Sequence, residues 1–190
     1  VPELGVEISG GGDLSGVINT DALKGHITGG GDVRVDGSFK EYAIDLSGGG
    51  DVRSEADAGI ISCTISGGGD LTIRSKKPVT DATIDINGGG DVEAVMNAEK
   101  MKCSVSGGGN ASLTGQATTL EININGGGDV NAGGFSAVTA VVRASGGSDI
   151  HVNVSKELTG YVTGGGDVYY SGNPEMVSLD AKGGSEIHKE

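Results

Sequence analysis

Ten polar side chains recur along this chain at a spacing that could organise chemistry. They are Asp13, Asp32, Asp51, Asp70, Asp91, Asn110, Asp129, Asp149, Asp167 and Glu186, at intervals of 18 to 21 residues. Each follows two or three glycines, most often in the phrase SGGGDV. Glycine-rich loops that end in aspartate hold Ca²⁺ in β-roll repeats, but those repeats have a period of about nine residues. Ca²⁺ takes six to eight oxygens, and here one carboxylate is offered per repeat. The other reading is architectural. Consecutive glycines allow positive φ at a sharp corner where a Cβ would collide with the next repeat, and the acid accepts hydrogen bonds from corner N–H groups, as in an Asx-turn. Asn110 fits that second reading, because its amide oxygen accepts as a carboxylate does. The row is therefore assigned to architecture, with Asp13, Asp32, Asp51, Asp70, Asp91, Asp129, Asp149 and Asp167 as Ca²⁺ ligands in the alternative.

His151, Tyr169 and His188 each stand two residues after an acid, in three successive repeats. If the repeats stack at ~4.8 Å, the two histidines lie roughly 10 Å apart. That is too far to share a metal held at about 2.1 Å per ligand. With Tyr161 they form a candidate patch for a glycan or protein ligand, the alternative being ordinary solvated side chains. Arg34 and Arg53 share the same column, beside the acids, and are expected to form surface ion pairs of small energy. Cys63 and Cys103 both stand seven residues before an acid, with Ile84 at that place in the repeat between them. Two repeat spacings exceed disulfide reach, so both are expected to be free, buried thiols. No histidine shares their column, and no catalytic, cofactor-binding or metal residue is assigned.

The elements that must position these groups follow from the same period. Five residues before each acid every residue is apolar, from Ile8, Ile27 and Leu46 to Val162 and Ala181. One residue after it the same holds, from Leu14 and Val33 to Val168 and Ile187. Mostly apolar columns seven and nine before the acid alternate with polar residues such as Asp45, Asn123 and Arg143. Alternation at period two means strands with one buried face. Two short strands per 19-residue unit, without helical periodicity or hairpin signals, predict an all-β fold: a right-handed parallel β-helix of ten coils with Gly-Gly-Gly-Asp corners, spanning 1–190 as one domain. Of the 38 glycines, 28 sit in these corners, so the high glycine content is architecture and not low complexity.

Composition narrows the partners. A net charge of −13 argues against nucleic acid or an anionic membrane, both of which need basic patches. No apolar run approaches the ~20 residues of a membrane span. The sequence opens at Val1-Pro2 without a signal-like segment, which predicts that a targeting peptide lies outside it. The N-terminal edge at Val1 is expected to be uncapped, whereas Pro174 and the tail EIHKE should blunt the other end. Sugar-cleaving solenoids cluster acids with a base in a loop-walled cleft, and no unit here is lengthened by more than two residues. Hexapeptide acyltransferases repeat every six residues, a sub-period absent here.

The repeated SGGGDV, with the stretch SGGSDIHVNVSKELTGYVTGGGDVYYSGNPEMVSLDAKGGSEIHKE, resembles the bacterial putative auto-transporter adhesin, head GIN domain family. The resemblance spans all ten repeats and is strongest from Ala144 onward. It implies a right-handed β-helix similar to pectin-lyase-like folds without their catalytic residues. It further implies a secreted or lipid-anchored protein at the bacterial surface, with adhesion as its role, and an N-terminal segment that this chain lacks. The expected function is thus non-enzymatic, adhesin-like binding of a cell-surface glycan or protein by a monomer. The alternatives are a scaffold assembling end to end through the solenoid ends, or a Ca²⁺-binding β-solenoid.

Overall fold

The structure is a computed structural model that describes residues 2–190. Fourteen strands form one sheet, every pairing parallel, wound into a β-solenoid. Residues pair with those one repeat away, as in Leu14↔Val33 and Ile44↔Cys63. Two strand faces result. The A face starts one residue after each acid and the B face ends five residues before the next, so each ladder has ten rungs. At parallel-strand spacing the rod is roughly 50 Å long.

Strand continuity differs from the expected pair of short strands. Val33–Leu46, Val52–Ile65, Val92–Gly107, Ala111–Gly126, Val130–Gly146 and Ile150–Gly164 each run unbroken from the A face into the B face. In these units the bend between the faces stays within the strand, and backbone bonds such as Gly68 N–H to the Gly48 carbonyl also join successive glycine corners. The two later breaks contain proline. Pro78 lies between Leu71–Arg74 and Val79–Ile86, and Pro174 between Val168–Ser171 and Met176–Gly183. A proline has no N–H for the ladder. The tail is part of the ladder: Ile187–Lys189 adds a parallel rung on Val168–Ser171. Val1, where an open edge is expected, lies outside the described residues.

The interior is solid. The four predicted columns are buried except in the terminal coils, and many residues three, five and seven after the acid join them in the central ones. These include Val35, Ile73, Leu113, Phe39 and Met96, while Phe135, six after its acid, enters opposite Gly115 across a register shift. Phe39 and Tyr42 pack with centroids 5.3 Å apart. The Tyr42 hydroxyl is enclosed without a hydrogen-bond partner, and burial raises its pKa strongly. Tyr42→Phe is therefore expected to stabilise the fold by about 1 kcal/mol, read as a higher urea midpoint at unchanged m-value.

The corners are tight at two of their three glycines. A Cβ on Gly67 would lie 2.0 Å from the Gly48 carbonyl oxygen, and one on Gly69 would lie 2.1 Å from that of Gly50. One on Gly68 would meet nothing within 4 Å. At this corner stacking therefore leaves no room for a Cβ at the first and third positions and leaves the middle one open. Positive φ adds to this at Gly107, Gly126, Gly146 and Gly164. Ser148 and Ser185 replace the third glycine, and their hydroxyls are buried without a hydrogen-bond partner.

Candidate binding faces

The acid row is a hydrogen-bonded ladder between repeats. Asp13 Oδ1 accepts from the Asp32 N–H at 3.1 Å, Asp32 Oδ1 from Asp51 at 3.0 Å, and Asp51 Oδ1 from Asp70 at 3.2 Å. Asp70, Asp91, Asn110, Asp129, Asp149 and Asp167 continue the pattern to the Glu186 N–H. The acceptor role is as expected but the partner is not. The side chain reaches the N–H of the following rung, not a donor of its own corner as in an Asx-turn. The main chain closes the contact from the other side, as when the Val33 N–H donates to the Asp51 carbonyl at 2.8 Å. Short side chains suit this reach. The one glutamate, Glu186, sits at the last of the ten rungs described.

Asn110 keeps the ladder and breaks the row of charge. Its Oδ1 accepts from the Asp129 N–H, while its Nδ2 donates to Asp91 Oδ1 at 3.1 Å. Asp91→Asn should accordingly leave stability within about 0.5 kcal/mol. Asp91→Ala removes the acceptor of Asn110 and should cost about 1 kcal/mol, a fall in melting temperature of roughly 2–4 °C. Among the described residues no group of three or more His, Cys, Asp or Glu side chains converges as a metal site.

On the A face, His151, Tyr169 and His188 are brought together. Tyr169 stacks on His151 at 4.6 Å and 10°, and on His188 at 4.9 Å and 18°. Both faces of the tyrosine ring are thereby covered. Carboxylates border the stack: Glu190 lies 3.5 Å from His151 Nδ1, and Glu186 lies 3.5 Å and Asp167 3.8 Å from His188 Nε2. The Tyr169 hydroxyl donates to Asp167 Oδ2 at 3.5 Å. Loss of solvent in the stack, then the Asp167 and Asp149 carboxylates, raise the pKa of that phenol. Towards the other end the same face is ionic. Arg53 meets Asp51 in the acid row, whereas Arg34 turns to Asp36, each at 3.5 Å.

Tyr161 is not part of that stack. It lies on the B face, across the glycine corner, in register with Arg143 and Asp180. There it borders a cleft of about 250 Å³ with Ser104, Asn123, Asn125, Arg143 and Ser145. Arg143 Nη1 meets Glu121 Oε1 at 3.0 Å, and Asn123 Nδ2 donates to the same oxygen at 3.0 Å. The Asn123 hydrogen bond, opposed next by desolvation and then aided by the charges of Arg143 and Lys102, holds the Glu121 carboxyl below its ordinary pKa. Sequence reasoning counted Asn123 and Arg143 only as polar alternation. The overlooked signal is the column four residues before the acid, which is Ser, Thr or Asn in nine of ten repeats.

Cys63 and Cys103 are buried and free, separated by Ile84 in register. Burial pushes both thiols up to about 12.

Fold and faces together define a class: a repeat β-solenoid with a filled core, whose chemical variety is confined to outward columns. The chain belongs to the putative auto-transporter adhesin, head GIN domain family, whose model matches residues 1–83 and again 79–174. The two matches meet just after the Pro78 break. Comparison with curated proteins and with solved structures gives no match.

Proposed function

We propose that this chain is a non-enzymatic, adhesin-like rod displayed at the bacterial surface, secreted or lipid-anchored, that binds a cell-surface glycan or protein through its side faces. The observation that carries this reading is the solid core under an uninterrupted grid of outward side chains. Chemistry is presented on strand faces, and the units vary too little in length to wall a deep cleft with loops. The family description supports a binding role at the cell surface.

Beads coated with the chain should attach to bacterial or host cell surfaces and be competed off by soluble chain. Sedimentation should give a constant monomer mass across concentration. Failure to attach, combined with concentration-dependent chains, would favour end-to-end scaffold assembly instead. A melting temperature that rises with Ca²⁺ and falls with chelator would reassign the aspartate row to metal binding.

A further inference from the structure

We propose that the ligand site is the Tyr161 cleft of the B face, and that its ligand is an uncharged oligosaccharide. This inference rests on the surface-binding reading above and names its site and ligand class. Sugars are recognised by an aromatic ring that covers an apolar ring face, together with planar amides and hydroxyls that bond the hydroxyl groups. The stack of His151, Tyr169 and His188 does not offer the first of these. Both faces of its central ring are already occupied at 4.6 and 4.9 Å, and its polar edges face carboxylates.

Tyr161 does offer it, with half of its surface exposed. The neighbour in the next rung, Asp180, is engaged by Lys182 at 2.9 Å. Beside the ring run two outward columns in register. One is Ser104, Asn123 and Arg143; the other is Ser106, Asn125 and Ser145. They form a grid of donors and acceptors spaced ~4.8 Å along the rod and ~6.6 Å across it. The Asn125 amide already orders Ser145, whose hydroxyl donates to Asn125 Oδ1 at 3.2 Å.

Charge selects within the sugars. The one cation of the cleft, Arg143, is held by Glu121 at 3.0 Å. The guanidinium is thus neutralised locally and fixed, with N–H donors left for hydroxyl groups. The chain as a whole carries −13, which disfavours sialylated or uronic-acid glycans.

The test is calorimetric titration with maltohexaose, cellohexaose and mannohexaose, with oligogalacturonate and sialyllactose as the acidic arm. The wild type is compared with Tyr161→Ala, Asn125→Ala and the triple variant His151→Ala/Tyr169→Ala/His188→Ala. A neutral hexaose should bind the wild type. Tyr161→Ala should weaken it at least tenfold and Asn125→Ala roughly fivefold, at unchanged melting temperature, with the triple variant binding normally. Loss in the triple variant with retention in Tyr161→Ala would overturn the site. Preference for the acidic arm would overturn the ligand class. Bead attachment to cells with no binding of any neutral hexaose would sink this inference and leave the surface-binding function standing. Absence of attachment would sink that function itself.

Discussion

Gly67→Ala is expected to cost about 3 kcal/mol and to lower the melting temperature by roughly 6–12 °C, while Gly68→Ala shifts it by no more than about 2 °C. The two substitutions are chemically identical and adjacent. They differ in what the new methyl group meets: the Gly48 carbonyl oxygen at 2.0 Å in one case, and nothing within 4 Å in the other. The obstructing atom is backbone, so no rotamer change relieves it. Relief needs the two rungs to separate, and the Gly68 N–H to Gly48 carbonyl bond at 3.1 Å joins them at that point. Gly68→Ala also reduces the freedom of the unfolded chain, which makes a small gain the more natural outcome there. Differential scanning calorimetry of the two variants checks this. Equal losses would show that the corner needs glycine for its dihedral angles and not for the approach of the next rung.

The second large effect appears at alkaline pH. Cys63 and Cys103 keep their protons in the folded rod to about pH 12, because burial disfavours the thiolate. In the unfolded chain they ionise near pH 9. Between these values the unfolded state binds fewer protons, so stability falls as pH rises. At pH 10.5 the loss is on the order of 2 kcal/mol per thiol, about 4 kcal/mol for the pair, and it is absent below pH 8. The Tyr42 phenol, raised in the same way, adds to the loss above pH 10. Urea midpoints at pH 8 and 10.5 should therefore converge in Cys63→Val/Cys103→Val, apart from the share common to all the other titrating groups. Val142 already occupies that inward column. An alkaline loss as large in the double variant as in the parent would show that the thiols are not what titrates.

The period, the columns at one after and five, seven and nine before the acid, and the free thiols were legible because those positions are almost uniformly aliphatic. The columns three, five and seven after the acid were not. The column three after the acid, for instance, holds Gly16, Val35, Ser54, Ala94 and Leu113, which share neither size nor polarity. Ser54 is buried in that set, its hydroxyl donating to the Val35 carbonyl. The partner of each aspartate was hidden for a different reason. Asx-turn reasoning looks two residues ahead, whereas the N–H that is met lies a whole repeat away. The stack of His151, Tyr169 and His188 could be placed from register alone. Tyr161 could not be joined to it, because six before the acid and two after it fall on opposite sides of the glycine corner.

The winding has a mechanical consequence. The strands run across the rod, so the hydrogen bonds between rungs lie along its axis, and each rung is bound only to its neighbours. Tension applied along the axis bears on those bonds directly and peels one terminal turn at a time. Each released turn trades ~4.8 Å of rod for about 65 Å of extended chain, given some 19 residues at up to ~3.4 Å each. Such a rod under pull lengthens in steps and dissipates work at every one, instead of snapping as a single unit. Under such a load the repeat supplies shock absorption as well as reach.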